Sequence, residues 1–342
     1  SLDPTMGNSV PDNEIQHIMQ EGLVRNTCGT IEPGIAESWE ISEDGTTYTF
    51  HLRDAVYTDG TPITAQDFLY TFRRLADPAT AAPYSWIMDG HVKNGGDVVA
   101  GKLPVEELGV SAPDDKTFVI ELEYPQSYFL SLIGSCGQFT PVRQDKAEEY
   151  GKDYAATADK MVTCGPFTMV SSANRQYIFE KNENYWNADA INFDRIELSV
   201  IETGDTQLAM YEQGELDYVL VPTAQVPNYD DQDNEYMNGS LDWVYINHEA
   251  DYVNNENFCL ALNYAIDRET YNMLANSGTY TAWGNPVMPA VDGINATYGE
   301  EFQPDGYPIN GDLTKAQEYL QAAMGEMGIS DPSEITVEFT TT

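Results

Sequence analysis

Residues 34–78 read GIAESWEISEDGTTYTFHLRDAVYTDGTPITAQDFLYTFRRLADP and carry the clearest structural signals in the chain. Two runs with strand-like composition, 39–42 and 48–52, flank a Glu-Asp-Gly turn at 43–45. An Asp-Gly pair between two such runs is typical of a β-hairpin. The sequence therefore predicts two antiparallel strands joined by this turn.

A helix over about residues 65–75 is predicted shortly after the hairpin. Thr64 precedes it and Asp67 stands three positions later, which is the spacing of a capping box and places a negative charge at the positive helix end. The Asp-Pro pair at 77–78 ends the helix. Apolar residues at helical spacing predict one buried face, made of Phe68, Leu69, Phe72 and Leu75.

The length and charge of the chain limit its class. A chain of 342 residues can bury a large core and suggests about two domains. It has 56 acidic and 16 basic residues, for a formal net charge of -40. Phosphate backbones and anionic membrane surfaces would be repelled, so we expect no nucleic-acid partner. The charge leaves open either a solvated acidic surface or the attraction of cationic peptides.

The four cysteines, Cys28, Cys136, Cys164 and Cys259, form no C-x-x-C pair. A zinc site or a thioredoxin-like site therefore lacks support. They are either free thiols, which we favour, or form one or two disulfides. If one bridge forms, we expect it between Cys136 and Cys164.

No motif for catalysis or for a metal stands out. The four histidines are scattered, and the chain contains no H-E-x-x-H, P-loop, dinucleotide or G-x-S-x-G motif. Asp231, Asp233 and Glu235 faintly suggest a calcium loop, but Tyr236 stands where an EF-hand requires glycine. We therefore expect no enzyme activity, no cofactor and no metal. Two carboxylates brought together by folding would leave no motif, so a carbohydrate-active hydrolase remains an alternative.

The order of the motifs in the first half resembles the extracytoplasmic solute-binding proteins of peptide ABC transporters (family 5), in particular their oligopeptide-binding branch. The shared motifs there are SWE at 38–40, TYTFHLR at 47–53, the DG-P-TA-DF series at 59–68 and ADPATAAPY at 76–84. The last of these is the most discriminating.

Further motifs follow in the family's order. Residues 163–167, TCGPF, stand where the family has G-T-G-P-[YF], with Thr163 and Cys164 as departures. N-x-x-Y-W at 182–186 and G-E-L-D at 214–217 come next. The resemblance therefore covers nearly all of this chain.

The resemblance implies an α/β, periplasmic-binding-protein-like (type II) fold with two lobes. We expect the first lobe at 1–33 and 161–250, an inserted α+β subdomain at 34–160, and the start of the second lobe at 251–342. Because family members continue well beyond this point, we expect a truncated chain with an incomplete second lobe.

Several elements are also predicted from local patterns. Helices are expected at 127–133, 206–213, within 258–273, and at 313–327 with Asp312 as cap and Gly328 as stop. Alternating or strand-like runs predict a hairpin at 110–123 and strands at 195–200, 241–247 and 335–339.

The resemblance also implies a set of ligand-binding residues in the first lobe and its insertion. Glu21, Gly22 and Leu23 would present a carboxylate and backbone groups to the ligand, whereas the alternative is a helix end with Gly22 as its stop. Tyr84 would project against bound peptide, and Cys136 would come near the cleft. For Tyr84 and Cys136 the alternative is ordinary packing.

The remaining expected ligand-binding residues lie later in the chain. Val221 would face the cleft together with Leu220, and Trp243 and Tyr245 lie on one face of the strand predicted at 241–247. Core packing explains the same alternation, so both interpretations stay open.

The function implied is the substrate-binding component of an ABC importer. Such a protein binds an extended oligopeptide in a cleft between its lobes and delivers it to the membrane permease. We expect a monomer outside the cytoplasm, either a cell-surface lipoprotein or periplasmic. A dipeptide, a metal chelate or a sugar are alternative ligands within the family. In the family the main carboxylate for the peptide amine lies beyond the position of Thr342, so we expect this chain to bind peptide weakly or not at all.

Overall fold

The structure is a computed structural model that describes residues 1–229, 240–289, 291, 293–302 and 306–338. The chain divides into two units, Ser1–Val200 and Ile201–Thr342. The calcium-like pattern at 231–235 lies outside the described residues. Within the described ranges, no helix is both long enough and apolar enough to cross a membrane.

The first unit combines short strands with helices. Its strands are β1 (Val24–Thr27), β2 (Thr30–Pro33), β3 (Ala36–Ile41), β4 (Thr47–Leu52), β5 (Val110–Asp114), β6 (Thr117–Glu121), β7 (Phe167–Ala173), β8 (Gln176–Lys181) and β9 (Arg195–Ser199). Its helices are α1 (Val10–Met19), α2 (Ala65–Ala76), α3 (Gly95–Val99), α4 (Phe129–Ser135) and α5 (Gln144–Tyr150).

The predicted hairpin is present as the antiparallel pair β3–β4, with Trp39 opposite Phe50. It belongs to a four-stranded antiparallel sheet of order β3-β4-β6-β5, and the hairpin predicted at 110–123 supplies β5 and β6. Tyr48, Phe50 and Leu52 are buried in β4, because alternate side chains of a strand face the same side.

Helix α2 covers one face of this sheet, and its predicted cap is confirmed. The Thr64 backbone N–H donates to Asp67 Oδ2 at 2.8 Å, and the Thr64 hydroxyl donates to the same oxygen at 3.0 Å. Phe68 and Phe72 are fully buried, with their ring centroids 5.8 and 5.3 Å from that of Phe118 in β6. The apolar face predicted from helical spacing is therefore the face that packs on the sheet.

A second, smaller core in the same unit is formed by helix α1 and by the strands that begin at β7. Helix α1 packs on the antiparallel sheet β7-β8-β9, with Met19, Phe167 and Phe179 buried together. The main core contains residues between Leu23 and Cys164. The small core thus combines residues from before and after the segment that forms most of the main core.

The second unit is helical in its described part, with α6 (Gly204–Glu212), α7 (Glu256–Ala265), α8 (Arg268–Ala275), α9 (Tyr298–Glu301) and α10 (Leu313–Met327). Phe258 of α7 packs near Ala323 of α10 in a small core. The predicted ends of α10 are confirmed: Lys315 N–H donates to Asp312 Oδ1 at 3.0 Å, and Gly328 adopts φ +70°.

Three predictions for the second unit are wrong. Residues 241–247 and 335–338 form no strand, while residue 339 lies outside the described residues. A strand needs a neighbour for its backbone hydrogen bonds, and every paired strand of the described residues lies in the first unit. The single helix predicted within 258–273 is two helices, because the Asp267 side chain accepts the Thr270 N–H and starts α8 anew.

Candidate ligand-binding site

The carboxylate of Glu21 lies buried shortly after α1, with a residue exposure of 4%. The Tyr185 hydroxyl donates to its Oε2, while Arg25 Nε lies 3.6 Å from its Oε1. Among the described residues, no group makes a hydrogen bond to that Oε1. Burial raises the pKa of Glu21, and the Tyr185 hydrogen bond, the charges of Arg25 and Arg53 and the nearby Trp186 side chain only partly offset this.

The backbone after Glu21 pairs with the segment at 34–36. The Gly22 carbonyl accepts Ile35 N–H at 2.9 Å, and the Leu23 carbonyl accepts the N–H groups of Gly34 and Ala36 at 3.1 and 3.0 Å. Helix α1 already ends at Met19, so the alternative of a helix stop at Gly22 is wrong. The Leu23 side chain is 1% exposed in the main core, which leaves only backbone groups of this residue for a ligand.

The indole of Trp186 lies near two guanidinium groups that the sequence did not assign to the site. Arg53 Cζ is 3.5 Å from its ring centroid and Arg25 Cζ is 5.6 Å from it. Trp186 Nε1 is buried without a hydrogen-bond partner among the described residues. Its neighbour Tyr185 bonds Glu21, so the N-x-x-Y-W motif could have indicated this cluster.

All four cysteines are free. Cys164 Sγ accepts the Glu21 N–H at 3.4 Å, and burial strongly raises the pKa of this thiol. Cys136 follows α4, which packs on β1, and burial raises its thiol pKa as well. The preference for free thiols is confirmed, and the Cys136–Cys164 bridge is not formed.

Tyr84 lies elsewhere in the first unit, half-buried against the main core. Its ring centroid is 5.9 Å from that of Trp86, which is exposed. The pair therefore presents an aromatic surface to solvent while one of its members is anchored by packing.

The other expected site residues belong to the second unit. Val221 is half-buried, whereas Trp243 is 57% and Tyr245 87% exposed. The ring centroids of Trp243 and Tyr245 are 6.2 Å apart. Core packing is therefore the wrong explanation for these two aromatic residues within the described part of the second unit.

The chemistry of the first-unit cluster is that of polar recognition. It combines a buried carboxylate, two guanidinium groups, a tyrosine hydroxyl and an indole. One buried polar atom each of Glu21, Arg25, Arg53 and Trp186 makes no hydrogen bond among the described residues. Within the described ranges, no group of three or more His, Cys, Asp or Glu side chains is placed to hold a metal ion.

Comparison with known proteins identifies the family. The sequence profile of the bacterial extracellular solute-binding proteins, family 5 Middle, matches residues 30–342. The chain belongs to this family. It is 32% identical over 98% of its length to oligopeptide-binding protein OppA of Bacillus subtilis, and 33% identical over 89% to periplasmic OppA of Salmonella typhimurium. It spans 62% and 57% of the lengths of these two relatives.

Solved structures of the family agree with the fold. The Haemophilus influenzae OppA complex with RPPGFSPFR has a TM-score of 0.80 at 30% identity, over 96% of this chain and 65% of that one. Burkholderia pseudomallei OppA has a TM-score of 0.81 at 29% identity, over 96% of this chain and 64% of that one. The α/β, periplasmic-binding-protein-like fold predicted from the sequence is confirmed.

Proposed function

We propose that this family member is the substrate-binding component of an ABC importer and that it binds extended oligopeptides. The observation that supports this most is the similarity to the peptide complex of Haemophilus influenzae OppA, which extends over 96% of this chain. The relatives with the names OppA are binding proteins. We propose that this chain likewise binds its ligand without altering it, and that it acts without a cofactor.

The domain arrangement that we propose is an insertion at 34–160 within a first lobe made of 1–33 and 161–250. The small core supports it, because that core joins α1 to β7 and β8 across the intervening main core. The end of the first lobe at 250 and the second lobe at 251–342 remain predictions, since the two units divide at Val200.

The residues that we propose for peptide contact supply complementary chemistry. An extended peptide carries backbone donors and acceptors that loops and strand edges can satisfy whatever its sequence. Exposed aromatic rings cover its side chains, and a carboxylate pairs with its ammonium group. The proposed residues are Glu21, Gly22, Leu23 through its backbone, Tyr84, Cys136, Val221, Trp243 and Tyr245.

A peptide of two residues is the second candidate ligand. Dipeptide-binding protein DppE of Bacillus subtilis is 32% identical to this chain, over 100% of this chain and 63% of DppE. An oligopeptide needs a row of contacts beyond the termini, whereas a dipeptide needs only recognition of the two termini and two side chains. The exposed pair Trp243 and Tyr245 supports the longer ligand, because it offers aromatic surface beyond a single charged group.

We also propose delivery to a membrane permease, a monomeric state and a location outside the cytoplasm. The relatives from Salmonella typhimurium and Escherichia coli are named periplasmic. Attachment by a lipid anchor is the alternative to a free periplasmic protein.

Isothermal titration with matched peptides tests the function. The titrants are a di-, a tri- and a pentapeptide of the same composition, with a chromogenic glycoside incubated separately. The longer peptides should bind more tightly than the dipeptide, with all affinities weak, and the glycoside should not be cleaved. Binding of the dipeptide alone would establish the second candidate, and glycoside cleavage would favour the hydrolase.

A further inference from the structure

The guanidinium of Arg53 packs on the Trp186 ring and forms no ion pair with any residue that the structure describes. Its Cζ lies 3.5 Å from the Trp186 ring centroid, and its Nε is buried without a hydrogen-bond partner in the described part of the chain. Glu37 and Glu21 act on its charge only from beyond ion-pair distance. With 56 acidic and 16 basic residues, the chain has many carboxylates that could pair with Arg53. The lack of an ion pair among the described residues therefore calls for an explanation.

Arg25 beside the same indole is also incompletely satisfied. Its Nε is 3.6 Å from Glu21 Oε1 and its Nη2 is 3.7 Å from Glu32 Oε2, both longer than a hydrogen bond. Its Nε has no hydrogen-bond partner among the described residues, and its side chain is 37% exposed. Both guanidinium groups near the Trp186 ring therefore have N–H groups that lack a hydrogen-bond acceptor among the described residues.

Stacking and anion binding use different parts of a guanidinium. The flat face packs on an aromatic ring, while the N–H groups lie along the edge in a fork that matches a carboxylate. The contact with Trp186 therefore uses the face of the Arg53 guanidinium and not the N–H groups along its edge. A second, weakly paired guanidinium nearby adds positive charge and further donors.

We propose that Arg53 and Arg25, arranged around Trp186, recognise a carboxylate group of the bound peptide. The carboxylate is either the peptide's C-terminus or an acidic side chain. The inference rests on the proposed function, since it assigns a specificity element to the peptide ligand. It predicts that a protein with a strongly negative total charge accepts peptides that carry a negative group.

Nuclear magnetic resonance of the ¹⁵N-labelled full chain tests this assignment at a single site. The signal of the Trp186 indole N–H is assigned with Trp186→Phe and followed during titration. The probes are N-acetylalanine for a terminal carboxylate, N-acetylglutamic acid amide for a side-chain carboxylate, and N-acetylglutamine amide as the neutral match. Sodium chloride at about 0.15 M screens long-range repulsion and is kept constant.

The two carboxylates, or one of them, should shift the signal saturably, and the neutral probe should not. The probe that shifts the signal identifies whether a terminal or a side-chain carboxylate is bound. Arg53→Gln should weaken the response at least about tenfold, while Arg53→Lys should retain part of it because it keeps the charge but loses the planar fork. Arg73→Gln is the matched control, since Arg73 Nε is also buried without a hydrogen-bond partner among the described residues but lies on α2.

Several results would overturn the inference. They are an equal response to the neutral probe, an equal response to inorganic phosphate, or an unchanged response in Arg53→Gln. If Arg53→Gln fails to fold, the inference is judged from two other results. They are the response of Arg53→Lys and the preference of the parent protein for the carboxylate probes over the neutral one. A separate titration with a neutral, amidated oligopeptide reports on the proposed function, so failure of that function is distinguishable from failure of the carboxylate site.

Discussion

Arg74 and Asp3 form a bidentate ion pair that ties helix α2 to the start of the chain. Arg74 Nη1 lies 2.7 Å from Asp3 Oδ1, and Nη2 lies 2.6 Å from Oδ2. The same Nη1 donates to the Thr5 hydroxyl at 2.6 Å. Both side chains are largely buried, so each charge depends on the other for compensation.

Removal of one member of this pair should therefore destabilise the first unit. Arg74→Met leaves the Asp3 carboxylate buried without its partner, and breaking such a pair costs about 3–5 kcal/mol. Urea denaturation followed by tryptophan fluorescence measures the loss. Lys93→Met, which breaks the exposed pair with Glu121, is the control and should change little. Equal effects of the two substitutions would contradict a special role for the buried pair.

The contact between the segments at 21–23 and 34–36 should depend on Gly34 and not on Gly22. A Cβ atom on Gly34 would lie 2.5 Å from the Gly22 carbonyl oxygen, which forces the paired segments apart. A Cβ atom on Gly22 would make only ordinary contacts, the nearest at 3.4 Å. Gly34→Ala should lower the free energy of unfolding by about 1–3 kcal/mol, and Gly22→Ala should be nearly neutral. Thermal unfolding of both variants checks this, and a larger loss for Gly22→Ala would refute the packing described.

Glu21 should give the first unit an unusual pH dependence. Its pKa is raised in the folded state because it is buried. The folded protein therefore holds this proton more tightly than the unfolded chain, and the resulting stability is present below the unfolded pKa and lost as pH rises through the folded pKa. Relative to Glu21→Gln, the parent should lose stability as the pH is raised across that window.

The pH experiment has a control of opposite sign. The hydrogen bond from Arg143 lowers the pKa of Asp145, so its contribution is present above the unfolded pKa and lost as pH falls. Urea denaturation of the parent, Glu21→Gln and Asp145→Asn at several pH values gives both differences. A Glu21→Gln difference that is constant with pH would show that the carboxylate is not desolvated.

The exposed aromatic pair of the second unit should matter for binding and not for stability. Trp243→Ala and Tyr245→Ala remove large exposed rings, so unfolding should change by no more than about 0.5 kcal/mol. Truncation of an aromatic contact should weaken binding of a pentapeptide by about 1 kcal/mol or more, which is about fivefold. Tyr271→Ala, on an exposed ring of α8, is the binding control. A full loss of stability, or an equal loss of affinity in Tyr271→Ala, would argue against this assignment.

Local sequence signals predicted those elements whose determinants lie close together in the chain. The Thr64–Asp67 capping box and the apolar stripe with Phe68 and Phe72 gave α2, and Asp312 with Gly328 gave the ends of α10. The prediction of a strand at 241–247 is wrong. Alternating apolar residues indicate which side chains would share a face of a strand, but they do not show that a neighbouring strand is present to pair with it.

The candidate site was only partly accessible from the sequence. The resemblance indicated the segment at Glu21, but the partners that set its chemistry come from distant positions. Tyr185 and Trp186 stand in the N-x-x-Y-W motif, and Arg53 ends the TYTFHLR run. Their juxtaposition around one buried carboxylate is a consequence of tertiary folding, which no local spacing encodes.

Mass spectrometry of the ligand that remains bound during purification, carried out on the protein at its full natural length, addresses peptide binding itself. The folded protein is denatured and the released small molecules are sequenced. Oligopeptides of several residues, varied in sequence and recovered near one per protein molecule, are the predicted result. Recovery of a sugar, or an empty protein that also ignores added oligopeptides, would contradict it.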